Sequence, residues 1–122
     1  MVIEMSSPKY NKTKGTTYEV LIVKLFRALG HLAERLRLAG KDDEGDIAAV
    51  IAGKTYILEL KNVKKIDLPQ FWREAEVEAK NYAKARGLEQ VPPAYVIVKR
   101  RNAPIEKSWV VCPLDQWLKE KE

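Results

Sequence analysis

Two carboxylates and a lysine at strand-like spacing are the residues of this 122-residue chain best suited to chemistry. Asp46 begins one apolar, β-branched run, and Glu59 and Lys61 end the next. The pattern predicts a β-hairpin over residues 46–62, with Gly53-Lys54 as its two-residue turn. In that register Asp46 lies opposite Lys61, and Glu59 is the diagonal neighbour of Asp46 on the same face.

Carboxylates at such a distance repel each other unless a cation lies between them, and a divalent metal with oxygen ligands is the simplest such cation. Phosphodiester hydrolysis adds negative charge to an anionic group, so it needs local positive charge and a nucleophile at neutral pH. A divalent metal and an ammonium group supply both. The trio therefore indicates a divalent metal site with an ammonium group beside it. The alternative is an ordinary alternating strand whose polar side faces water.

The element before the hairpin brings a further acid. Thr16-Thr17-Tyr18-Glu19 has the spacing of a capping box and predicts a helix that runs to about Leu29 and ends at Gly30. Glu19 lies at the edge of the apolar stripe of this helix. It can cap its own helix or join the site, and the two roles are compatible. A strand over residues 31–38 and a charged loop to Gly45 follow.

After the hairpin, the sequence predicts a second helix from about Asp67 to Arg86, strands over residues 94–99 and 108–112, and a short helix from Pro113. The resulting order αβββαββα predicts an α/β fold, a mixed five-stranded sheet flanked by helices. Residues 1–14 are expected to form a flexible basic arm, and residues 15–122 a single domain. The buried side of the second helix is predicted to consist of Phe71, Ala75, Ala79, Tyr82 and Ala83.

Composition narrows the class of protein. The hydrophobic share of 46% and the charged share of 32% are those of a globular chain. The net charge of +5 favours a polyanionic partner, whereas for any single basic cluster the favoured interpretation is a solvated surface. We expect a cytoplasmic protein with no membrane segment, because no apolar run is long enough for a span or a signal peptide. The single Cys112 excludes an internal disulfide and is expected to be a buried core thiol.

These motifs together resemble the PD-(D/E)xK nuclease superfamily and, within it, the archaeal-type Holliday junction resolvases. The resemblance covers about residues 14–98 and implies a restriction-endonuclease-like αβββαβ core. Gly45 stands where the superfamily pattern has proline, a common variation. The motifs that carry the resemblance are Lys14-Gly15-x-x-Tyr18-Glu19, Gly45-Asp46-Ile47 and Glu59-Leu60-Lys61.

The resemblance implies a role for each of these residues. Asp46 and Glu59 would ligate Mg²⁺ or Mn²⁺ with the Leu60 carbonyl, and Glu19 would act on the metal directly or through water. Lys61 would orient the attacking water and neutralise charge on the phosphate. The expected substrate is branched DNA such as a four-way junction, cut by a homodimer without a nucleotide cofactor. The expected DNA-contacting residues are Lys14, Arg35, Arg37, Lys64 and Lys65.

Several alternatives stay open on the sequence. The chain could be a restriction or repair nuclease for other DNA structures, including a phage-encoded enzyme, or a non-catalytic DNA-binding module of the same fold. Gln70 and Glu74 could reach the site from the second helix, although Gln70 could equally cap that helix. Trp72 and Trp109 could belong to the core or to a subunit interface. Acids in the loop over residues 42–44 could add a metal ligand or indicate a different substrate geometry.

Overall fold

The computed structural model describes residues 8–36 and 43–122. Its elements follow the predicted order αβββαββα, with a short 3-10 helix added before the last strand. None of the described helices has the length and hydropathy needed to cross a membrane. The elements are α1 (Pro8–Ala28), β1 (Leu32–Arg35), β2 (Ile47–Ile51), β3 (Lys54–Lys61), α2 (Leu68–Ala85), β4 (Ala94–Val98), the 3-10 helix (Ile105–Lys107), β5 (Trp109–Val111) and α3 (Leu114–Glu120).

The five strands form one mixed sheet in the order β1-β2-β3-β4-β5. Neighbouring strands are antiparallel, except that β3 and β4 are parallel and are connected through α2. A parallel pair requires such a crossover connection, usually a helix. The predicted mixed five-stranded α/β architecture is therefore confirmed, and β3 is its central strand.

Helices cover both faces of the sheet. On one face, α1 packs its buried Tyr18, Ile22 and Val23 against apolar residues that include Leu58 and Leu60 of β3. On the other face, α2 packs against a cluster that includes Ile57 of the same strand. Successive side chains of a strand point to opposite faces, so Glu59 and Lys61 lie with Ile57 on the α2 side. Residues near the end of β3 are consequently enclosed from both faces.

The predicted start of the first helix is wrong. Helix α1 begins at Pro8, so residues 8–14, which the sequence assigned to a basic arm, are helical. Proline is favoured in the first turn of a helix, because its fixed φ suits the helix and its missing N–H has no partner there. Glu19 therefore lies inside the helix and does not cap it. Residues 1–7 of the predicted arm and residues 37–42 of the predicted strand and loop lie outside the described residues.

The predicted turn of the hairpin is displaced by one residue. Ile51 pairs with Lys54, so Ala52 and Gly53 form the two-residue turn. Their φ angles are 51° and 79°, as a type I′ turn requires at both central positions. The sequence favoured Gly53-Lys54 because alanine rarely adopts a positive φ. The displaced turn shifts the partner of each β2 residue by two positions along β3.

We expect Ala52→Asn to raise the free energy of unfolding by about 0.5–1 kcal/mol, because asparagine tolerates the left-handed conformation that strains alanine. Urea unfolding measures the change. Gly53→Ala is the opposing control, and it should destabilise the protein by about 1 kcal/mol through backbone strain alone, since no atom lies within 4 Å of the position its Cβ would take. A neutral Ala52→Asn together with a neutral Gly53→Ala would contradict the type I′ assignment.

Candidate metal centre

Asp46 and Glu59 face each other across the hairpin. The Asp46 N–H donates to the Leu58 carbonyl at 3.1 Å, and the Leu60 N–H donates to Asp46 Oδ2 at 2.7 Å. Asp46 is therefore hydrogen-bonded to the backbone of Leu58 and Leu60, the two residues that flank Glu59. The predicted convergence of the two acids is present, but the pairing of Ile47 with Leu58 places Asp46 next to Glu59 and not opposite Lys61.

The backbone conformation of Gly45 allows the chain before Asp46 to pass close to β3. Its φ is +99°, and a Cβ at this position would lie 2.7 Å from Cγ2 of Ile57, a fully buried core residue. Proline, which the superfamily pattern has here, fixes φ near −65° and could not adopt this backbone. The backbone of this chain therefore favours glycine at position 45.

Helix α2 adds two acids to the pair. Carboxylate oxygens of Glu59, Glu74 and Glu78 lie within 4.8 Å of one another, so this acidic triad could hold a metal ion. Glu78 is only 5% exposed, and its Oε2 has no hydrogen-bond partner among the described residues. A buried carboxylate oxygen without a partner is costly, and a bound cation would satisfy it.

Sequence reasoning placed Glu74 near the site as an open alternative but missed Glu78. A signal for Glu78 was present, because it falls at helical spacing between Ala75 and Tyr82 of the predicted buried stripe. A charged residue inside an apolar stripe needs a partner. Gln70, the other open alternative, is exposed, and Asp67 is the residue that caps α2 by accepting from the Gln70 N–H at 3.2 Å.

Lys61 supplies a positive charge to one side of the triad. Its Nζ lies 3.0 Å from Glu74 Oε2 and 3.5 Å from Glu59 Oε2, and it sits 4.9 Å from the centroid of the Phe71 ring. Burial lowers the pKa of Lys61, but the hydrogen bond to Glu74 and the charge of Glu59 outweigh burial and raise it. The side chain is therefore an ammonium at neutral pH.

Glu19 reaches the site from the opposite helix layer. Burial and the charge of Asp46 raise its pKa, while a hydrogen bond from Arg35 at 3.2 Å opposes the shift. The loop residue Asp43 adds further repulsion to both Glu19 and Asp46. Acids from α1, β3, α2 and the loop before β2 thus converge on one end of the sheet.

The pKa values of the central acids Asp46, Glu59 and Glu78 are raised. Burial, followed by the neighbouring Glu59, raises the pKa of Asp46 to about 8. Burial likewise raises the pKa of Glu59 to about 8 and that of Glu78 to about 7. The three groups are not all ionised at neutral pH without more positive charge than Lys61 provides. An all-oxygen donor set of this charge fits a hard divalent cation.

The predicted DNA-contacting residues and Leu60 have different surroundings in the structure. Lys14 and Lys64 line one groove beside the site, whereas Arg35 is paired with Glu19. Lys65 is exposed, and Arg37 lies outside the described residues. Leu60 is buried, with its N–H bonded to Asp46, and a metal-binding role of its carbonyl stays a prediction.

Three further predictions concern isolated side chains. Cys112 is only partly buried, so the expectation of a buried core thiol is wrong. Trp72 is half-buried in α2, which agrees with a core role. Trp109 is 55% exposed.

The fold is similar to that of a known resolvase. No protein-family model matches the sequence, and no curated protein matches it by sequence comparison. Among solved structures, the chain is similar to Archaeoglobus fulgidus Hjc, a Holliday junction resolvase from an archaeal hyperthermophile determined at 1.6 Å resolution. The TM-score is 0.51 with 23% identity, over 80% of this chain and 87% of that chain. The likeness shows that the two proteins share the mixed-sheet α/β fold.

We expect the metal-free protein to lose stability as pH rises from about 4.5 to about 8. The buried acids keep their protons in the folded state at pH values where the unfolded chain has released them, since their ordinary pKa values are 3.8 and 4.5. The folded state then binds more protons, and the free energy of unfolding falls as pH rises through the folded pKa values. Thermal unfolding in EDTA measures this fall, and Mn²⁺ should stabilise the protein increasingly as pH rises.

Two variants of α2 make this pH test specific. Glu78→Gln removes one buried titrating group and should flatten the metal-free profile, whereas Glu76→Gln alters an exposed acid of the same helix and should leave the profile unchanged. An identical profile in wild type and Glu78→Gln, or a rise in metal-free stability over this pH range, would contradict the assignment.

Proposed function

We propose that this chain is a metal-dependent endodeoxyribonuclease that hydrolyses phosphodiesters in branched DNA, similar in activity to Holliday junction resolvases. One observation carries the proposal: the buried carboxyl groups of Glu59 and Glu78 and the half-buried carboxyl group of Asp46 crowd together beside the ammonium of Lys61. This combination is an all-oxygen cation site next to a phosphate-compatible positive charge. The similarity of the fold to that of a Holliday junction resolvase supports the same conclusion.

The residues available to hold Mg²⁺ or Mn²⁺ come from α1, β3, α2 and the loop before β2. Asp46 and Glu59 would bind the ion, with the Leu60 carbonyl and Glu19 as further oxygen donors on the α1 side. Glu74 and Glu78 offer additional oxygens on the α2 side. When bound, a divalent ion supplies Lewis-acid chemistry that lowers the pKa of water and stabilises charge on a phosphate.

Lys61 contributes charge and orientation, and does not act as a base. Its pKa is raised by Glu74 and Glu59 despite burial, so it holds its proton at neutral pH. Contacts with Glu74 and the Phe71 ring fix the ammonium beside Glu59. From there it can donate a hydrogen bond to an attacking water or to a phosphate oxygen, and it can stabilise the negative charge that grows in the transition state.

The proposal includes a four-way DNA junction as substrate and a homodimer as the active enzyme. The net charge of +5 suits a nucleic-acid partner, whose phosphates would be held by basic residues near the site. A four-way junction presents equivalent phosphates on opposing strands, so a homodimer with two sites would cut both. Equilibrium sedimentation with and without a synthetic four-way junction tests the assembly, and a monomer on the junction would contradict the homodimer.

We expect Asp46→Asn and Glu59→Gln to reduce Mg²⁺-dependent cleavage by roughly a hundredfold or more, because each removes a charged ligand from the site. DNA binding should stay near normal or become tighter. The assay uses a synthetic four-way junction, a flap and a linear duplex, each with and without Mg²⁺. Glu76→Gln, an exposed acid of α2, is the matched control and should cleave like wild type.

Each result of this panel discriminates between functions. Cleavage of the junction alone supports a resolvase, and preferential cleavage of the flap or the duplex supports a repair-type or restriction-type nuclease. Binding without cleavage of any substrate supports a non-catalytic module. Undiminished cleavage by Asp46→Asn would refute the proposed centre.

Lys61→Ala should lower the cleavage rate by roughly tenfold to a hundredfold while leaving Mn²⁺ affinity within a few-fold of wild type. The reason is that the ammonium acts on the water and phosphate and is not a metal ligand. Single-turnover kinetics and Mn²⁺ titration separate these two effects. Lys80→Ala, an exposed lysine of α2 outside the expected DNA contacts, is the control. Loss of Mn²⁺ binding in Lys61→Ala with an intact fold would show that the role of Lys61 is misassigned.

A further inference from the structure

A groove lined by cationic side chains lies directly beside the candidate metal centre. Its volume is about 350 Å³, and none of the described residues that line it is acidic. We call it the basic groove and define it by Lys14, Lys64, Lys99, Arg100, Arg101 and Trp109. These residues come from α1, from the segment after β3, from the β4–β5 connection and from β5. Basic clusters that are far apart in sequence therefore meet at one place.

The basic groove is continuous with the end of the central strand. Asn62, which also lines it, directly follows Lys61, and the Lys99 N–H donates to the Lys61 carbonyl at 2.9 Å. The groove therefore begins at the residue that follows Lys61, at the end of the strand that carries Glu59. A polyanion in the basic groove would lie at the same end of the sheet as the metal centre.

The groove also contains an aromatic surface. Trp109 is 55% exposed although it is large and apolar, and the Arg100 guanidinium lies 5.4 Å from its ring centroid. An exposed indole among cations is typical of sites where bases stack and phosphates pair with lysine and arginine. Bases inside a duplex are already stacked on each other, so only an unpaired base could use this ring.

A second cavity extends the groove towards α1. This apolar recess, of about 280 Å³, shares Lys14, Asn62 and Lys99 with the basic groove and is lined beyond them mainly by Tyr18, Leu21 and Ile105. Leu21 is 41% exposed on the helix surface. A flat apolar ligand held next to bound phosphates would cover it, and a splayed-out nucleobase has both properties.

We propose that the basic groove binds an unpaired DNA strand of the substrate, with a base stacked on Trp109 and phosphates held by Lys99, Arg100 and Arg101. The inference rests on the proposed nuclease function and narrows its substrate to branched DNA with a single-stranded segment next to the cut, such as the flap, over the fully base-paired four-way junction. Duplex DNA would gain only the phosphate contacts. Single-stranded DNA is therefore bound more tightly than blunt duplex of the same length.

The test measures binding in EDTA, so that it does not depend on catalysis. The probe is a labelled oligothymidylate of about ten nucleotides, with a blunt duplex of equal length for comparison. Trp109→Ala should weaken oligothymidylate binding roughly tenfold and duplex binding by less than twofold, and Trp109→Phe should recover most of the affinity. Arg101→Ala should reduce the slope of log affinity against log salt by roughly 0.7.

Trp117 provides a matched control on α3. It is similarly exposed, at 49%, and it also has a cation beside its ring, with Lys121 Nζ at 5.7 Å, but it does not line the basic groove. Trp117→Ala should bind oligothymidylate like wild type. Quenching of tryptophan fluorescence by the oligonucleotide should persist in Trp117→Phe and disappear in Trp109→Phe. Circular dichroism verifies that each variant is folded.

The possible results separate this inference from the proposed function. Equal affinities for oligothymidylate and duplex, or quenching that persists in Trp109→Phe, would overturn the groove assignment even if Mg²⁺-dependent cleavage is found. Trp109-dependent binding without any cleavage would support the groove and refute the nuclease. Competition by polyglutamate with the same dependence on Trp109 would also overturn the inference, because that polyanion has no bases.

Discussion

Repulsion among carboxyl groups that are buried together is the constraint on which this structure depends. Glu59 and Glu78 are buried between the central strand and α2, and half-buried Asp46 lies beside Glu59. Burial raises the pKa values of all three, and neighbouring acids raise them further. A fold selected for stability alone would replace such a cluster with apolar residues, which often pack there at no cost. A bound cation would give a physical reason for keeping the acids together.

The architecture holds these acids in place through rigid, buried elements. β3 is central in the sheet and covered by helices on both faces, so the side chain of Glu59 cannot turn to water. Asp46 is tied to the backbone on either side of Glu59, and the tight approach of Gly45 to Ile57 keeps it there. Preorganisation of this kind is what a site needs if its charge is to act without rearranging during a reaction.

The sequence predicted the site better than it predicted the hairpin that builds the site. Displacing a two-residue turn by one position moves every cross-strand partner by two, and side chains alternate with a period of two. Asp46 and Glu59 therefore remain on the same face in the predicted and the observed registers. The register itself was unpredictable, because Ala52 adopts a positive φ that alanine disfavours. Glu78 was missed for a different reason: only tertiary packing shows that its place in an apolar stripe points towards other acids.

Acidic and basic surfaces lie side by side at this end of the sheet without neutralising each other. The carboxyl groups are buried, whereas Lys64, Arg100 and Arg101 are exposed beyond the strand ends, where water screens their charges. Among the described lysines, Lys61 is the one that contacts the acidic triad. In the proposed function, binding and chemistry would be divided between these two sets of residues. The exposed cations would hold phosphates, and the acids would hold the divalent ion.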